Sequence, residues 1–110
     1  MAQISPDKDI VTLINTFTVE PDNQQRLVDV LVEGIRKTIN TLPGFVSANI
    51  HKSLDGTRVV NYAQWENREA FEAVFENPEA TSRMREAGEV AEDSEPYLYE
   101  VPFVDEASGP

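Results

Sequence analysis

The side chains best suited to chemistry are two asparagines and the only tryptophan of the chain. In the run Val60-Asn61-Tyr62-Ala63-Gln64-Trp65, strand alternation places Asn61, Ala63 and Trp65 on one face. At the usual strand rise Asn61 and Trp65 lie about 13 Å apart. They would therefore flank an extended ligand, with space beside the small side chain of Ala63. Amide and indole N–H groups in apolar surroundings are suitable donors to developing negative charge.

A second asparagine occupies the same kind of position on another predicted strand. Residues 10–19 alternate, so Asn15 shares a face with Leu13 and Phe17. If the two strands are neighbours, Asn15 and Asn61 are cross-strand or diagonal neighbours. Two interpretations follow, because a buried amide without a partner costs about 1–3 kcal/mol. Either the asparagines satisfy each other or the backbone and Trp65 belongs to the core, or all three line a ligand pocket.

The elements that must position these residues follow from periodicity and from helix and turn signals. Strands are predicted at residues 10–19, 45–53, 58–66 and 96–104. A helix of about five turns opens at Pro21 and stops at Pro43-Gly44, with an apolar residue every fourth position. Asp55-Gly56 predicts a tight hairpin between the second and third strands. Asn67 and Asn77 each predict the start of a helix, so the second helical segment is broken.

The order β-α-β-β-α-β predicts an α+β ferredoxin-like fold. Strand one then lies antiparallel beside strand three, and the helices cover one face of the sheet. The opposite face is too apolar to remain in contact with water, and we expect it to meet the same face of a second copy in a homodimer. The residues expected on it are Ile10, Thr12, Ile14, Val60 and Tyr62.

Composition excludes several classes of function. The net charge of −11 argues against nucleic acid and anionic membranes as partners. The chain has no cysteine, which excludes disulfides, thiol nucleophiles and cysteine-based metal sites. No apolar run approaches the roughly 20 residues of a membrane span, so a soluble cytoplasmic protein is expected. One domain is predicted at residues 10–104, between a flexible N-terminus (1–9) and a flexible tail (105–110).

Three runs carry a resemblance to a known family. They are Leu13-Ile14-Asn15-Thr16-Phe17, Leu42-Pro43-Gly44-Phe45-Val46, and Val60-Asn61-Tyr62-Ala63-Gln64-Trp65 with Ala70-Phe71 after it. Together they resemble the antibiotic biosynthesis monooxygenase family. The resemblance implies a dimeric α/β barrel built from ferredoxin-like subunits.

Within this family the runs are most similar to the anthrone oxygenases of aromatic polyketide pathways. The resemblance implies that O₂ oxidises a polycyclic phenolic anthrone to a quinone, without metal, flavin or other cofactor. It assigns catalytic roles to Asn15, Asn61 and Trp65. Some members also use a tyrosine in the helix after the tryptophan, where this chain has Phe71. The residues expected to contact the substrate are Phe17, Ala63, Phe71, Phe75 and Met84.

Two other functions stay open. Heme-degrading monooxygenases of the same fold also carry a first-strand asparagine and a third-strand tryptophan, but add a heme-ligating histidine on the following helix. The only histidine here, His51, is predicted on strand two. A dimeric module that binds an aromatic molecule without catalysis is the other alternative. The acidic run of residues 86–93 lacks the ligand spacing of a calcium loop and is interpreted as a solvated helix face, so no metal site is predicted.

Overall fold

The computed structural model describes residues 9–108 of the 110-residue chain. The predicted flexible N-terminus and the end of the predicted tail lie mostly outside these residues. Seven regular elements follow one another: β1 (Val11–Thr18), α1 (Gln24–Lys37), β2 (Phe45–Lys52), β3 (Arg58–Trp65), α2 (Arg68–Ala73), α3 (Pro78–Val90) and β4 (Asp93–Tyr99). No helix within residues 9–108 is long and apolar enough to cross a membrane.

The four strands form one antiparallel sheet in the order β2-β3-β1-β4. Strand β1 therefore lies beside β3, as predicted, and the ferredoxin-like α+β fold is confirmed. The register places Asn15 directly opposite Asn61, and Leu13 opposite Ala63. Residues opposite each other share a face of a sheet, so both asparagines point to the same side.

The first helix is shorter than its apolar stripe predicts. Pro21 starts a short 3₁₀ turn, and α1 then runs only from Gln24 to Lys37. The backbone of Thr38 leaves the helical region (φ −130°, ψ −61°), and a second 3₁₀ turn follows at Ile39–Thr41. The hydrogen bonds of Thr38 explain the break, since its hydroxyl donates to Glu79 on α3 and its carbonyl accepts from the Thr41 hydroxyl. An apolar stripe does not reveal such a local polar network.

The second helical segment is broken as predicted. The Asn67 side chain accepts from the backbone N–H of Ala70 at 2.8 Å and starts α2. The Asn77 side chain accepts from the backbone N–H of Ala80 at 2.9 Å and starts α3, with Pro78 in its first turn. Each cap satisfies an amide that has no carbonyl partner within its own helix.

The last strand lies earlier than predicted. It spans Asp93–Tyr99 rather than residues 96–104. Within residues 9–108 it pairs with β1 alone, and Tyr99 already pairs with Thr12, close to where β1 begins. The described part of the chain offers no strand for the residues after Tyr99, so the continuing alternation of Val101 and Phe103 forms no ladder. The first residues of β4 are polar and exposed, so the alternation of apolar residues does not predict that they belong to the strand.

The turn between β2 and β3 is longer than the predicted two-residue hairpin. Residues 53–57 connect the strands, and only Gly56 has a positive φ (84°). A type I′ turn would need positive φ at both central residues. Instead, one carboxylate oxygen of Asp55 accepts from Thr57 N (3.0 Å), Thr57 Oγ1 (2.8 Å) and Ser53 Oγ (2.7 Å). These bonds hold the pKa of Asp55 down at about 2.

Two buried clusters lie between the helices and one face of the sheet. One is built around Phe17, Leu27 and Val59, and the other around Trp65 and Val74. We call the face of the sheet that these clusters cover the inner face, and the opposite one the outer face.

The outer face is only partly exposed. Thr12 and Gln64 are fully buried there, and Gln64 Nε2 donates to Thr12 Oγ1 at 2.9 Å. Ile10, Ile14, Val60 and Tyr62 are half-buried. The strongly exposed aromatic side chains of this region are Tyr97 and Tyr99 on β4, which pair with Ile14 and Thr12.

Candidate active site

A cavity of about 290 Å³ lies between the inner face of the sheet and the helices. Its floor comes from β1 and β3, and its walls come from α1, the broken second helix and the edge strand β4. All eight residues that the sequence marks as catalytic or substrate-binding line it: Asn15, Asn61, Trp65, Phe17, Ala63, Phe71, Phe75 and Met84.

The two asparagines form the polar centre of this cavity. Asn15 and Asn61 face each other across β1 and β3. The Oδ1 atom of each is buried and has no hydrogen-bond partner within the described residues. An interpretation in which the two amides satisfy each other therefore does not describe this site. Rotation of an amide about its last side-chain bond exchanges oxygen and nitrogen, so each asparagine can present an acceptor or a donor to a ligand.

Trp65 closes one end of the inner face of β3. Its side chain is 3% exposed, and its ring packs edge-to-face on Phe45 with centroids 5.5 Å apart. A register shift between Phe45 and Ser47 lets β2 present Phe45 to Trp65. This contact fixes the indole, so its N–H occupies a defined place relative to the cavity. On β2, Ala48 also lines the cavity.

The aromatic wall opposite the sheet leads to the rim of the cavity. Phe71 and Phe75 pack edge-to-face with centroids 5.3 Å apart. Phe75 is 53% exposed and Met84 is 38% exposed. Both line the cavity and also contact solvent, so they lie where a ligand would enter. The half-buried Phe71 carries no hydroxyl and cannot pass on a proton.

Several cavity residues are missing from the sequence-based site. Leu31, Ile35 and Ile39 are expected as helix core, yet they also form cavity wall. Arg83 is not expected at all, and among the lining residues within 9–108 it is the one ionisable side chain. A signal for it exists: Arg83 shares the helical stripe of the buried Ala80 and Ala87, where a cation is unusual.

His51 lies away from the cavity. It is exposed on β2 and pairs with Val60, which belongs to the outer face. No group of three or more His, Asp or Glu side chains placed to hold a metal ion is found within residues 9–108. The four acidic side chains of the run at residues 86–93 are exposed, whereas Ala87 and Val90 within it are buried.

The family assignment rests on the match to a family model. The model of the antibiotic biosynthesis monooxygenase family matches residues 10–85 of this chain. The chain belongs to this family. The match extends from the start of β1 into α3, and so includes all eight of the predicted site residues.

Individual relatives agree with this assignment. A tetracenomycin-F1 monooxygenase from Streptomyces glaucescens is 49% identical over 78 residues, which are 71% of this chain and 70% of that protein. The crystal structure of a monooxygenase from the gene ActVA-Orf6 of Streptomyces coelicolor, in complex with nanaomycin D, matches with a TM-score of 0.81 at 30% identity. That alignment covers 94% of this chain and 96% of the other.

A third relative shows likeness of fold alone. SnoaB from Streptomyces nogalater, a cofactor-independent oxygenase, matches with a TM-score of 0.69 at 23% identity. The alignment covers 87% of this chain and 96% of SnoaB.

Proposed function

We propose that this chain is a monooxygenase that oxidises a polycyclic phenolic, anthrone-like substrate to a quinone with O₂, and that it needs no metal, flavin or other cofactor. Family membership supports a monooxygenase, and the 49% identical tetracenomycin-F1 monooxygenase supports a polyketide substrate. The observation that carries the proposal is the pair of amide oxygens, Asn15 Oδ1 and Asn61 Oδ1, which are buried without a hydrogen-bond partner among the described residues in an otherwise largely apolar cavity.

The cavity suits a flat, extended molecule with polar edges. Its volume of about 290 Å³ falls near the lower end of small-molecule pockets, about 300–1,000 Å³. Ala63 lies between Asn61 and Trp65 on the floor, so fused rings can lie across this small side chain. Phenolic O–H and carbonyl groups of the ligand supply the hydrogen bonds that the two amides lack.

The chemistry needs little from the protein. An anthrone loses a C–H proton to give an electron-rich enolate, and the enolate transfers one electron to O₂. Recombination of the two radicals forms a C–O bond and gives a peroxide. Loss of water from the peroxide leaves the quinone carbonyl, so one oxygen atom enters the product and the other leaves as water. Asn15, Asn61 and Trp65 stabilise the negative charge on the substrate oxygen during ionisation.

Turnover of an anthrone by the metal-free protein tests the proposal. Purified protein treated with a chelator is mixed with an anthrone and O₂, and quinone formation is followed by its visible absorbance. We expect a rate well above that of buffer alone, unchanged by the chelator. A rate equal to the buffer background would refute the proposal for that substrate, whereas binding without turnover would favour the non-catalytic module.

Trp65→Phe tests the role of the indole. It keeps an aromatic ring against Phe45 but removes the N–H donor. We expect turnover to fall by about tenfold to a hundredfold, since loss of one donor to a developing oxyanion costs about 10²–10³ in favourable sites. The melting temperature is the control for folding. Unchanged turnover would show that the indole N–H is not used.

A heme titration separates the remaining alternative. The only histidine, His51, is exposed on β2 and does not line the cavity. We therefore expect no shift of the Soret band on addition of protein. A shifted band that His51→Ala removes would support heme binding instead.

A further inference from the structure

The cavity opens to solvent on the side formed by the later part of the chain. Five of its lining residues are exposed, whereas the other lining residues are half-buried or buried. The five are Phe75, Met84, Gly88, Ser94 and Pro96. They belong to the turn after α2, to α3 and to β4. We call this opening the mouth of the cavity.

Gly88 is the mouth residue whose type its own helix does not explain. It lies inside α3, where glycine is among the least favourable residues because its backbone loses the most conformational freedom. Its φ is not positive, so other amino acids can adopt the same backbone conformation. A Cβ atom at Gly88 would meet no side chain or neighbouring element of the described residues within 4 Å. Neither backbone conformation nor close packing therefore requires a glycine.

Gly34 on the facing helix α1 shows the contrast. It also lines the cavity, but it is buried, and a Cβ atom there would lie 3.4 Å from Arg83 Cβ. The close approach of α1 and α3 thus explains why position 34 is a glycine. At Gly88 the space that a side chain would fill belongs to the mouth of the cavity. The absent side chain of Gly88 therefore widens the mouth without loosening a contact with another element.

The mouth lies directly beside the polar centre of the cavity. Pro96 pairs with Asn15 and Ser94 pairs with Phe17, so the two exposed lining residues of β4 share the inner face with them. Neighbouring strands lie only about 5 Å apart. The cavity volume of about 290 Å³ is also near the lower end for small-molecule pockets. A polycyclic ligand whose polar edge binds Asn15 and Asn61 therefore extends its far rings into the mouth.

We infer that Gly88 determines the size of substrate that the cavity accepts, because its missing side chain leaves the mouth open to a third fused ring. This inference rests on the proposed function, because it concerns a ligand of the same cavity. The third ring lies over Gly88 and buries apolar surface against Met84, one helical turn away on the same face of α3. Burial of additional apolar surface raises affinity, so ligands with three rings bind more tightly than ligands with two. A side chain at position 88 would occupy the same space and remove this advantage.

Two probes of different size test the preference in the wild-type protein. Naphthazarin is a dihydroxynaphthoquinone with two fused rings, and quinizarin carries the same hydroxyquinone edge with a third ring fused to it. Quenching of Trp65 fluorescence reports binding directly, because Trp65 is the only tryptophan and lines the cavity. We expect quinizarin to bind about tenfold or more tightly than naphthazarin, as burial of one more ring would give. Equal affinities would overturn the inference.

Gly88→Leu shows whether the mouth is the source of the preference. It should lower the ratio of the two affinities by about tenfold, mainly by weakening quinizarin, because the leucine side chain occupies the place of the third ring. Ser82→Leu is the matched control, since it adds the same side chain at an exposed position of α3 that does not line the cavity. It should leave the ratio unchanged. An unchanged ratio in a folded Gly88→Leu protein would contradict the inference.

Gly88→Ala separates weaker binding from weaker folding. The methyl group fits the open space and alanine is the better helix former, so we expect the melting temperature to rise by a few degrees. The ratio of affinities should nevertheless fall by about twofold. This variant also decides the test if Gly88→Leu does not fold. A lower melting temperature would show that packing requires the glycine, which would contradict the inference.

Failure of this inference is distinguishable from failure of the proposed function. The anthrone of the turnover assay is also given to the wild type and to Gly88→Leu, alongside the binding experiment. Turnover by the wild type that Gly88→Leu does not reduce refutes the role of Gly88 and supports the oxygenase. A preference for quinizarin that depends on Gly88, without turnover of the anthrone, supports the role of Gly88 and refutes the oxygenase for that substrate.

Discussion

The two central asparagines are placed at a cost to stability. Each Oδ1 is buried without a donor, and such an atom costs about 1–3 kcal/mol. Native proteins rarely keep two unpaired polar groups side by side in an apolar region. This loss of folding stability has a reason if a bound ligand supplies the missing hydrogen bonds, since catalytic sites are often less stable than they could be.

Replacing the asparagines with leucine should therefore stabilise the protein and weaken its activity. We expect Asn15→Leu and Asn61→Leu each to raise the free energy of unfolding by up to about 1 kcal/mol, because an apolar group of similar size replaces an unpaired amide. Turnover of an anthrone should fall by about tenfold or more. Urea denaturation and quinone absorbance measure the two effects.

The outer face of the same strands offers a matched control. Gln64 is fully buried but donates to Thr12 Oγ1 at 2.9 Å. Gln64→Leu removes a partnered amide and should destabilise the protein by about 1–3 kcal/mol. If the asparagine variants were destabilised to the same extent, their amides would have partners and the cavity would be ordinary core.

The alternation of side chains between strand faces explains how much of the site can be predicted from the sequence. Alternation in β1 and β3 is strict, so the positions of Asn15, Asn61 and Trp65 follow from period two alone. Their direct opposition depends on the register, which the sheet supplies. Arg83 escapes prediction because a long cationic side chain on a helix is ordinarily assigned to solvent. Only the packing of α3 on α1 turns it toward the cavity.

The loop before β2 depends on a glycine that two independent constraints demand. Gly44 has φ of 85°, and a Cβ atom there would lie 2.3 Å from the Cβ of Ala70 on α2. Its carbonyl also accepts from the backbone N–H of Glu66 at 2.8 Å, which joins this loop to the end of β3. The loop thus sets the position of α2, and with it the aromatic wall around Phe71.

Gly44→Ala should be clearly more damaging than Gly56→Ala. Gly56 has a similar φ of 84°, but its added Cβ would make only ordinary contacts with Pro21, at 3.5 Å and beyond. We expect Gly56→Ala to cost about 1–2 kcal/mol for the backbone alone. Gly44→Ala adds about 1–3 kcal/mol of overpacking. Urea denaturation measures how much unfolding free energy each variant loses. Equal losses would mean that α2 moves away from the added Cβ atom at no cost in stability.

The β2–β3 turn gives the stability a pH dependence at the acidic end. Hydrogen bonds from Thr57 N, Ser53 Oγ and Thr57 Oγ1 hold the pKa of Asp55 down at about 2. A depressed pKa in the folded state stabilises the protein above the unfolded value of about 3.9. That stabilisation is lost as the pH falls from about 4 to about 2.

Asp55→Asn isolates this contribution from that of the other acids. We expect the stability difference between wild type and variant to be constant above about pH 5 and to shrink as the pH falls toward 2. Chemical denaturation at a series of pH values measures it. A difference that stays constant through this range would show that Asp55 titrates normally.

The elements are predicted well where one local pattern determines them, and poorly where a neighbour decides. The caps at Asn67 and Asn77 are local, and both form as predicted. The end of β4 depends on where β1 begins, and its start pairs polar residues with the end of β1. Pro96 within β4 is tolerated because β4 is an edge strand. The two ends of β4 are therefore determined by its pairing with β1 and leave no periodic signal in the sequence of β4 itself.

The outer face gives the molecule its strongest reason to self-associate. The register aligns Tyr62, Ile14 and Tyr97 in one row across β3, β1 and β4. Tyr97 is 61% exposed, and Tyr99, which pairs with Thr12 on the same face, is 46% exposed. Large apolar side chains that lie together on a surface favour a protein interface. Two copies packed by this face would form the homodimer that the fold plan predicts, with each cavity on the far side of its own sheet.

Sedimentation velocity at micromolar concentration should therefore find a dimer. Tyr97→Glu places a charge at the exposed end of this row and should weaken dimerisation by about tenfold or more, because a buried unpaired charge is costly. Leu54→Glu is the matched control, since Leu54 is fully exposed but lies in the β2–β3 turn, away from the sheet face. It should leave the dimer intact. A stable wild-type monomer, or equal weakening by both variants, would contradict this interface. Because the cavity lies on the inner face, the Tyr97→Glu monomer should still bind a polycyclic quinone and quench Trp65.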